Sequence, residues 1–284
     1  MSAAATRPSF GGARVLLLES RLAAETAAMV RRLDGDPISA PAVIEATIDA
    51  DGAVRDFLDH LHQPGNHLVI FLTGAAVARI FAIAERLLIA APLVEGLARA
   101  TIVARGPKPV GALARRGLMQ VKTVASPFTT AEVLATLATM PVTGREVTVV
   151  HYGEHNEPIV TSLRTRGAIV RDLTVYEWQL PTDLAPLTSA IDAIIAGQIP
   201  IVALTSQIQL RHLLLVAGTH RQALLNALNT RAVVGAVGPT CAAQCHDAGI
   251  ENVVVPDQPK LAPLLAAIAA AATRSQADAT TQYE

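Results

Sequence analysis

The sequence predicts an α/β protein made of two similar lobes, each with a parallel sheet. Two observations predict this fold class. Short apolar runs that are typical of buried strands alternate with helical patterns along the whole chain. In addition, strand, turn and helix landmarks recur at one fixed offset, which is the separation of Gly106 from Gly238. At 284 residues, the chain is long enough for about two domains, each with its own core.

The clearest copies of the repeated unit are Ile102–Leu118 (IVARGPKPVGALARRGL) and Val233–Ile250 (VVGAVGPTCAAQCHDAGI). Each reads as a buried strand, a Gly-Pro turn and a short helix that stops at a glycine, and in the second copy Thr240 opens the helix. The same offset relates several other landmarks: Thr73 and Thr205, Arg79 and Arg211, Gly35 and Gly167, and Val15–Ser20 with Val147–Tyr152. One register that spans both halves indicates two copies of one α/β unit.

The first half of the chain alternates strands and helices. Apolar runs predict strands at Arg14–Leu18, His67–Leu72, Thr101–Ala104 and Val121–Val124. Helical spacing predicts helices from Leu22 to about Gly35, at Ala53–His62, from Thr73 to about Ala84, at Leu93–Arg99 after a break at Ala91-Pro92, up to Gly117, and at Thr130–Met140. The prolines at 37 and 41 make Pro37–Glu45 extended.

The second half repeats this alternation. Strands or extended segments are predicted at Glu146–His151, Ala168–Val175, Ile201–Leu204, from Val233, and at Val253–Val255. Helices are predicted at Pro158–Arg166, Leu187–Ala196, from Thr205 to about Val216, at Arg221–Leu228, up to Gly249, and at Leu261–Ala272. The termini, Met1–Phe10 and the residues after Thr273, are expected to be loose and frayed.

Composition excludes several classes of function. The net charge of −1 argues against a general nucleic-acid or membrane surface. The two cysteines, Cys241 and Cys245, lie four apart on a predicted helix, which favours packing over a disulfide or a zinc site. Without a signal peptide or a long apolar span, a cytoplasmic protein is expected. No P-loop or G-x-G-x-x-G motif follows a strand, so a nucleotide cofactor is not predicted.

The carboxyl ends of parallel strands are where ligands bind in such sheets. The residues that follow predicted strands are Thr73, Gly106, Tyr152–His155, Thr205-Ser206 and Gly238–Thr240. Several of them precede helices, whose N-termini suit carboxylates or phosphates. Positive charge could come from residues near the same strand ends, namely Arg21, Arg79, Arg105, Lys108 and Arg211, although any one of them could be a solvated surface charge.

Histidines and tyrosines offer two further candidates. His151 and His155 lie four apart in a predicted loop and are interpreted as solvent-exposed histidines rather than metal ligands. Tyr176 is placed where the two copies join, and its hydroxyl could donate a proton to a leaving group. An interdomain packing role beside Trp178 is equally consistent with the sequence.

Four motifs, in this order and spacing, resemble the uroporphyrinogen-III synthase family over about residues 12–272. They are a strand and loop with an arginine (Glu19-Ser20-Arg21), strand ends with Thr or Ser (Leu72-Thr73-Gly74 and Leu204-Thr205-Ser206), a Y-x-x-x-x-P linker (Tyr176 to Pro181), and a turn and helix (Gly238-Pro239-Thr240 to Gly249). His151-Tyr152-Gly153-Glu154 and Ala104–Lys108 resemble the branch of that family often fused to a response-regulator-type DNA-binding domain. The sequence departs from the family pattern at Tyr152, Glu157 and Pro109.

The resemblance implies two α/β lobes with parallel sheets, joined by a two-stranded linker, with one lobe discontinuous. Lobe 1 would be residues 12–40 plus 182–272, and lobe 2 would be residues 48–172. The linkers would be residues 37–45 and 173–181, and the tails would be residues 1–11 and 274–284.

The resemblance also implies an activity: cyclisation of hydroxymethylbilane to uroporphyrinogen III in haem biosynthesis, with loss of water and inversion of ring D. No cofactor, metal, nucleic acid or membrane is implied, and a monomer is expected. Tyr176 would be catalytic, and the residues implied for the substrate, a linear tetrapyrrole with eight carboxylates, are Arg21, Thr73, Gly106, Lys108, Gly153, Thr205, Ser206, Gly238 and Thr240. The alternative is a non-catalytic ligand-sensing or regulatory protein on the same fold.

Overall fold

A computed structural model describes residues 8–20, 22–46, 48–151 and 153–281, with side chains through Arg274. The chain forms two compact units: Met1–Ile44 with Gln179–Glu284, called lobe 1, and Glu45–Trp178, called lobe 2. Lobe 1 is therefore built from both ends of the chain, and lobe 2 from one continuous segment. The domain and linker ranges that the resemblance implies stay a prediction.

Strands and helices alternate through both lobes. The strands are β1 Arg14–Leu17, β2 Asp36–Ser39, β3 Ile44–Ala46, β4 Leu68–Phe71, β5 Thr101–Ala104, β6 Val121–Thr123, β7 Glu146–Val150, β8 Ile169–Leu173, β9 Glu177–Gln179, β10 Ile201–Leu204, β11 Val233–Ala236 and β12 Val253–Val254. The helices are α1 Ala23–Arg32, α2 Asp51–His62, α3 Gly74–Arg86, α4 Ala90–Arg99, α5 Pro107–Ala114, α6 Thr130–Ala138, α7 Glu157–Thr165, α8 Ala185–Ile195, α9 Gln207–Ala217, α10 Arg221–Thr230, α11 Pro239–Asp247 and α12 Leu261–Thr281. No helix in the described part of the chain is both long and apolar enough to cross a membrane.

Two helices differ from their predicted bounds. Helix α4 begins at Ala90 rather than after Pro92. The proline lies in the first turn, where its missing N–H has no intrahelical partner to lose, so it does not break the helix. Helix α12 continues to Thr281, past the predicted end at Ala272 and through the segment that was expected to be frayed.

Each lobe contains one five-stranded parallel sheet, which confirms the predicted fold class. The order in lobe 2 is β6-β5-β4-β7-β8, and the order in lobe 1 is β12-β11-β10-β1-β2. All neighbouring strands in both sheets are parallel. In lobe 2 the chain moves outward from β4 in one direction and then from β7 in the other. In lobe 1 the corresponding reversal lies between β10 and β1.

The sequence repeat places equivalent strands at equivalent positions in the two sheets. Strands β1 and β7, β5 and β11, and β6 and β12 all begin at the offset that separates Gly106 from Gly238, but β4 and β10 begin one residue further apart. The residue before helix α3 is Thr73, and the residue before α9 is Ser206. The structural equivalent of Thr73 is therefore Ser206, and the predicted pairing of Thr73 with Thr205 is wrong by one residue.

Side chains from the two faces of the lobe 1 sheet enter separate apolar clusters, because successive residues of a strand point to opposite faces. Leu16 packs on the face covered by α8 to α11. Val15 and Leu17 pack on the other face, against Leu264 and Ile268 of α12. Lobe 2 has one large apolar cluster on both faces of its sheet, and it includes Tyr176.

A two-stranded sheet of β3 and β9 lies where the chain passes from one lobe to the other. Strand β2 overlaps the start of the predicted linker 37–45 and pairs with β1 in the lobe 1 sheet. Side chains at equivalent helix positions contact the chain just before β3 and within it. His212 of α9 lies 2.7 Å from the carbonyl oxygen of Ala42 in lobe 1, and Arg79 of α3 bonds Glu45 at 3.1 Å in lobe 2.

Candidate functional site

The strand-order reversals identify where each sheet can bind a ligand, since crevices open at the carboxyl ends of strands at such a reversal. We call the loops after β4, β5 and β7 the lobe 2 edge, and the loops after β1, β10 and β11 the lobe 1 edge. The predicted site residues near the lobe 2 edge are Thr73, Gly106, Lys108, Gly153 and Tyr176; those at the lobe 1 edge are Thr205, Ser206, Gly238 and Thr240. Arg21 and Tyr152 lie outside the described residues.

Thr73 and Tyr176 are brought together at the lobe 2 edge. Their hydroxyl oxygens lie 3.1 Å apart, although the residues are 103 positions apart in the chain. Thr73 is the N-cap of α3, and its Oγ1 accepts the backbone N–H of Ala76 at 3.1 Å. Tyr176 is only 2% exposed, so its ring is packed in the lobe 2 core while its hydroxyl reaches the helix N-terminus.

The N-termini of α3 and α5 lie side by side at this edge. A Cβ added to Gly74 would lie 2.9 Å from the carbonyl oxygen of Lys108, so only glycine permits this approach. Gly106 precedes α5 with φ at +91°, a conformation that favours glycine. Pro107 and Pro109 have no N–H, so the first turn of α5 offers fewer amide donors than a usual helix N-terminus. The Lys108 side chain is exposed.

Gly153 joins the loop after β7 to strand β9. The Trp178 N–H donates to the Gly153 carbonyl at 3.0 Å, and Gly153 forms an isolated bridge with Glu177. Its φ is +67°, and an added Cβ would lie 2.6 Å from the Trp178 indole ring. The indole therefore lies directly on the glycine backbone, and the loop and β9 are fixed to each other.

His151 is fully buried, at 0% exposure, so the prediction of a solvent-exposed loop histidine is wrong. It follows β7 directly, and its ring is held on both sides. Nδ1 accepts the backbone N–H of Asn156 at 3.1 Å, and Nε2 lies 2.8 Å from Oδ1 of Asp172. Because Nδ1 accepts, the ring proton is on Nε2, which donates it to Asp172. His151 thereby fixes the loop after β7.

The described residues include one group of three side chains near enough to share a cation: His151, His155 and Asp172. The hydrogen bonds do not fit a metal site. A metal on Nε2 of His151 would require the ring proton on Nδ1, but Nδ1 already accepts the N–H of Asn156. In addition, Asp172 bonds Arg164 through its second oxygen at 3.0 Å. The group fits a structural hydrogen-bond network better than a metal centre.

Acid should destabilise the fold through His151. Burial lowers the pKa of His151, and the hydrogen bond to Asp172 opposes this shift only in part. An unfolded histidine titrates near pH ~6.5, so the unfolded chain binds more protons below that pH and stability falls as the pH drops. One such group contributes up to about 1.4 kcal/mol per pH unit. His151→Gln keeps a donor for Asp172 but cannot titrate, so we expect a flatter loss of stability in urea titrations between pH 7.5 and 5.

His155→Gln is the control for that titration, because His155 is 41% exposed and its side chain pairs with Glu157 at the surface. The charge of His155 is one of the smaller causes that lower the pKa of His151, so removing it should flatten the pH dependence less than His151→Gln does. Residual acid sensitivity in His151→Gln is expected from His60, whose pKa is also lowered by burial. An unchanged slope in His151→Gln would contradict the lowered pKa of His151.

The lobe 1 edge contains a buried glutamine that the sequence analysis missed. Gln209 is 3% exposed, and its Oε1 accepts the backbone N–H of Thr205 at 2.8 Å and that of Ser206 at 3.3 Å. Its Nε2 donates to Oγ1 of Thr205 at 3.0 Å. The spacing of Ser206 and Gln209 is that of a capping box, the signal that could have identified it. These two N–H groups are engaged within the lobe and are not free for a ligand.

Gly238 and Thr240 lie at the start of α11, but Thr240 does not open the helix as the sequence predicted. The helix begins at Pro239, so Gly238 is the N-cap and Thr240 is the second helical residue. The Thr240 residue is exposed, and the first turn of α11 has one N–H group fewer than usual because it begins with Pro239.

Two predicted cations have partners within lobe 2. Arg79 pairs with Glu45 at 3.1 Å, with each side chain about one-third exposed. Nε of Arg105 donates to the carbonyl of Leu72 at 3.0 Å and so joins the loops after β4 and β5. Arg105 therefore has a structural contact at the strand ends in addition to any charge it supplies to the edge.

The chain matches a family model described as Uroporphyrinogen-III synthase HemD over residues 24–266. A relative from Methanothermobacter thermautotrophicus, named "Putative uroporphyrinogen-III synthase", is 27% identical over 202 residues, which cover 71% of this chain and 77% of that protein. A relative from Bacillus subtilis, named "Uncharacterized protein YjjA", is 22% identical and covers 91% of this chain and 95% of its own length.

Solved structures share the fold. A mutant uroporphyrinogen III synthase from the extremely thermophilic bacterium Thermus thermophilus superposes with a TM-score of 0.75 at 24% identity, covering 93% of this chain and all of that chain. The family model covers most of the sequence, and the superposition covers both lobes. The chain belongs to the uroporphyrinogen-III synthase family.

Proposed function

We propose that this protein is a uroporphyrinogen-III synthase, which closes hydroxymethylbilane into uroporphyrinogen III with inversion of ring D and loss of water. Family membership supports the reaction class. The observation that carries the proposal is the hydroxyl pair of Tyr176 and Thr73, 3.1 Å apart, beside the strand-order reversal of lobe 2. This is the part of the sheet where a ligand is expected.

The reaction begins with the loss of the substrate hydroxyl, and a phenol is suited to assist it. Tyr176 donates its proton to the hydroxyl oxygen as the C–O bond breaks, and the group leaves as water. Ring closure through a spiro intermediate later releases one proton from the terminal pyrrole. That proton restores the phenol, so the cycle consumes no acid. The remaining contribution is conformational, because the protein holds a flexible chain in a shape that can cyclise.

Carboxylate recognition is proposed for each edge taken by itself. The first turns of α3 and α11 supply N–H groups and partial positive charge, to which a carboxylate binds favourably. Thr240 and Lys108 have exposed side chains at helix starts and supply further donors. Gly106, Gly153 and Gly238 are proposed to act through the backbone conformations that bring these loops to the edges.

The test is the isomer formed from hydroxymethylbilane generated in situ, oxidised and separated by chromatography. The protein should yield the type III isomer, whereas the spontaneous reaction gives type I. Tyr176→Phe keeps the buried ring and removes the proton donor, so we expect its rate of type III formation to fall about 100- to 10,000-fold, as for loss of a general acid.

Circular dichroism and the unfolding midpoint of Tyr176→Phe are the controls for folding. Full activity in a folded Tyr176→Phe variant would remove this tyrosine from the mechanism. A product of type I alone from the unmodified protein would contradict the synthase proposal as a whole.

One observation favours a second candidate, a ligand-sensing or regulatory protein on the same fold. Pro109 stands where the family commonly has a threonine, and together with Pro107 it removes N–H donors from the start of α5. Such a protein would bind a tetrapyrrole without converting it. Binding of uroporphyrinogen III that changes the fluorescence of Trp178, the single tryptophan of the sequence, with no type III product from hydroxymethylbilane, would support this candidate.

A further inference from the structure

We propose that Thr73 is a positioning residue for Tyr176: its hydroxyl donates to the phenol oxygen and leaves the phenolic proton directed at the substrate. This inference rests on the proposed synthase function and adds to it a residue that acts through another side chain. It differs from the role implied by the family resemblance, in which Thr73 contacts the substrate directly.

The geometry forms a continuous chain of donors. The Ala76 N–H donates to Oγ1 of Thr73 at 3.1 Å, and Oγ1 lies 3.1 Å from the Tyr176 hydroxyl. A threonine hydroxyl has one proton and two lone pairs, so it can accept from Ala76 and donate to Tyr176 at the same time. The partial positive charge at the α3 N-terminus favours this direction, because each donor in the chain points away from the helix.

The equivalent position in lobe 1 shows why Thr73 is available. Ser206 has Gln209 three residues later, and that side chain bonds the helix start and Thr205. The residue three positions after Thr73 is Ala76, which has no polar side chain to form a capping box. The Thr73 hydroxyl is therefore available to bond Tyr176. In lobe 1 the N–H groups of Thr205 and Ser206 donate to Gln209 instead.

The surroundings strengthen this hydrogen bond. Tyr176 is 2% exposed and packs in the lobe 2 core, which restricts the ring to one orientation. A hydrogen bond in such an environment is stronger than one in water and is less open to competition from solvent. Loss of the Thr73 hydroxyl would therefore remove the donor to the phenol oxygen, and with it the contact that orients the phenolic proton toward the substrate.

The test compares Thr73→Val, which is nearly isosteric and lacks the hydroxyl, with Thr73→Ser, which retains it. For Thr73→Val we expect kcat for type III formation to fall about 10-fold with KM changed less than about 2-fold, because an interaction made in the transition state is lost. Thr73→Ser should restore kcat to within about 3-fold of the unmodified protein. A residue that bound the substrate directly would instead raise KM.

Thr129→Val separates the capping role from the positioning role. Thr129 is the N-cap of α6 in the same lobe, so its loss should lower the unfolding temperature in the same way but leave kcat unchanged. An equal fall in kcat for Thr129→Val and Thr73→Val would show that only helix stability matters and would overturn the proposal.

A double-mutant comparison completes the test. If Thr73 acts through Tyr176, Thr73→Val combined with Tyr176→Phe should be no slower than Tyr176→Phe alone. In carbon-13-tyrosine NMR, where the sequence gives three resonances, the Cζ signal of Tyr176 should move in Thr73→Val and return in Thr73→Ser. Additive rate losses, or an unmoved Tyr176 signal, would overturn the inference while leaving the synthase function intact; an unmodified protein that forms only type I would overturn both.

Discussion

Gly153→Ala is expected to lower the stability of lobe 2 by about 2–5 kcal/mol. The residue has φ at +67°, and a side chain in the left-handed region costs about 1–2 kcal/mol. The new Cβ would also lie 2.6 Å from the ring of Trp178, so the indole or the loop must move, and such overpacking costs about 1–3 kcal/mol. Trp178 is the single tryptophan, so its fluorescence in a urea titration measures the change directly.

The matched control is Gly144→Ala in the same lobe. Gly144 has φ at +68°, but nothing lies within 4 Å of an added Cβ. The Gly144→Ala variant should lose only about 1–2 kcal/mol of stability, which is the backbone cost of the left-handed conformation, and the emission of Trp178 should be unchanged. Equal losses in the two variants would show that the indole does not rest on Gly153 in solution.

Gly235→Ala should destabilise lobe 1 by about 1–3 kcal/mol through overpacking. Gly235 lies in β11 under helix α12, and an added Cβ would clash with both Cδ1 and Cγ1 of Ile268. Glycine usually weakens a strand, so the same substitution at an open position would be neutral or favourable. At Gly235 the close approach of α12 makes the substitution destabilising. The measurement is the urea midpoint by far-ultraviolet circular dichroism.

Ile268→Ala tests the origin of that loss. Alone it should cost about 2–5 kcal/mol, because it removes a fully buried side chain. Combined with Gly235→Ala, it should cost at least about 1 kcal/mol less than the sum, since the new methyl group occupies the space that Ile268 leaves. Gly52→Ala in α2 has open space around its Cβ and serves as the control, in which we expect no loss of stability. Strict additivity would contradict the contact between α12 and Gly235.

The sequence determined much of the fold because the strands are short apolar runs separated by clear turns. The internal repeat that relates β5 to β11 identifies equivalent strands from the sequence alone. The repeat did not reveal that β4 and β10 are offset by one more residue, since Thr73, Thr205 and Ser206 are similar polar residues and either pairing fits. Only the capping bonds at the helix starts distinguish the two registers.

The site was less predictable because its contacts are long-range. The bond between Thr73 and Tyr176 joins residues 103 positions apart, and no local pattern encodes it. The sequence around His151 is typical of a loop because glycine and polar residues follow it. Its ring is nevertheless buried, and it is held there by hydrogen bonds with Asn156 and Asp172. Gln209 was predictable from its capping-box spacing with Ser206, a local signal that the alignment of the two repeat copies does not contain.

The composition of lobe 1 from both ends of the chain has a consequence during synthesis. Strand β1 leaves the ribosome early, but Val15 pairs with Ile201, which is made only after the whole of lobe 2. At ~5–20 residues per second this delay is about 10–40 s, whereas every sheet partner of lobe 2 lies within one continuous segment. The nascent protein therefore carries lobe 2 ready to fold while β1, which can pair early with β2 alone, waits for β10 on its other edge, and that apolar edge is exposed to misassembly until β10 has been made.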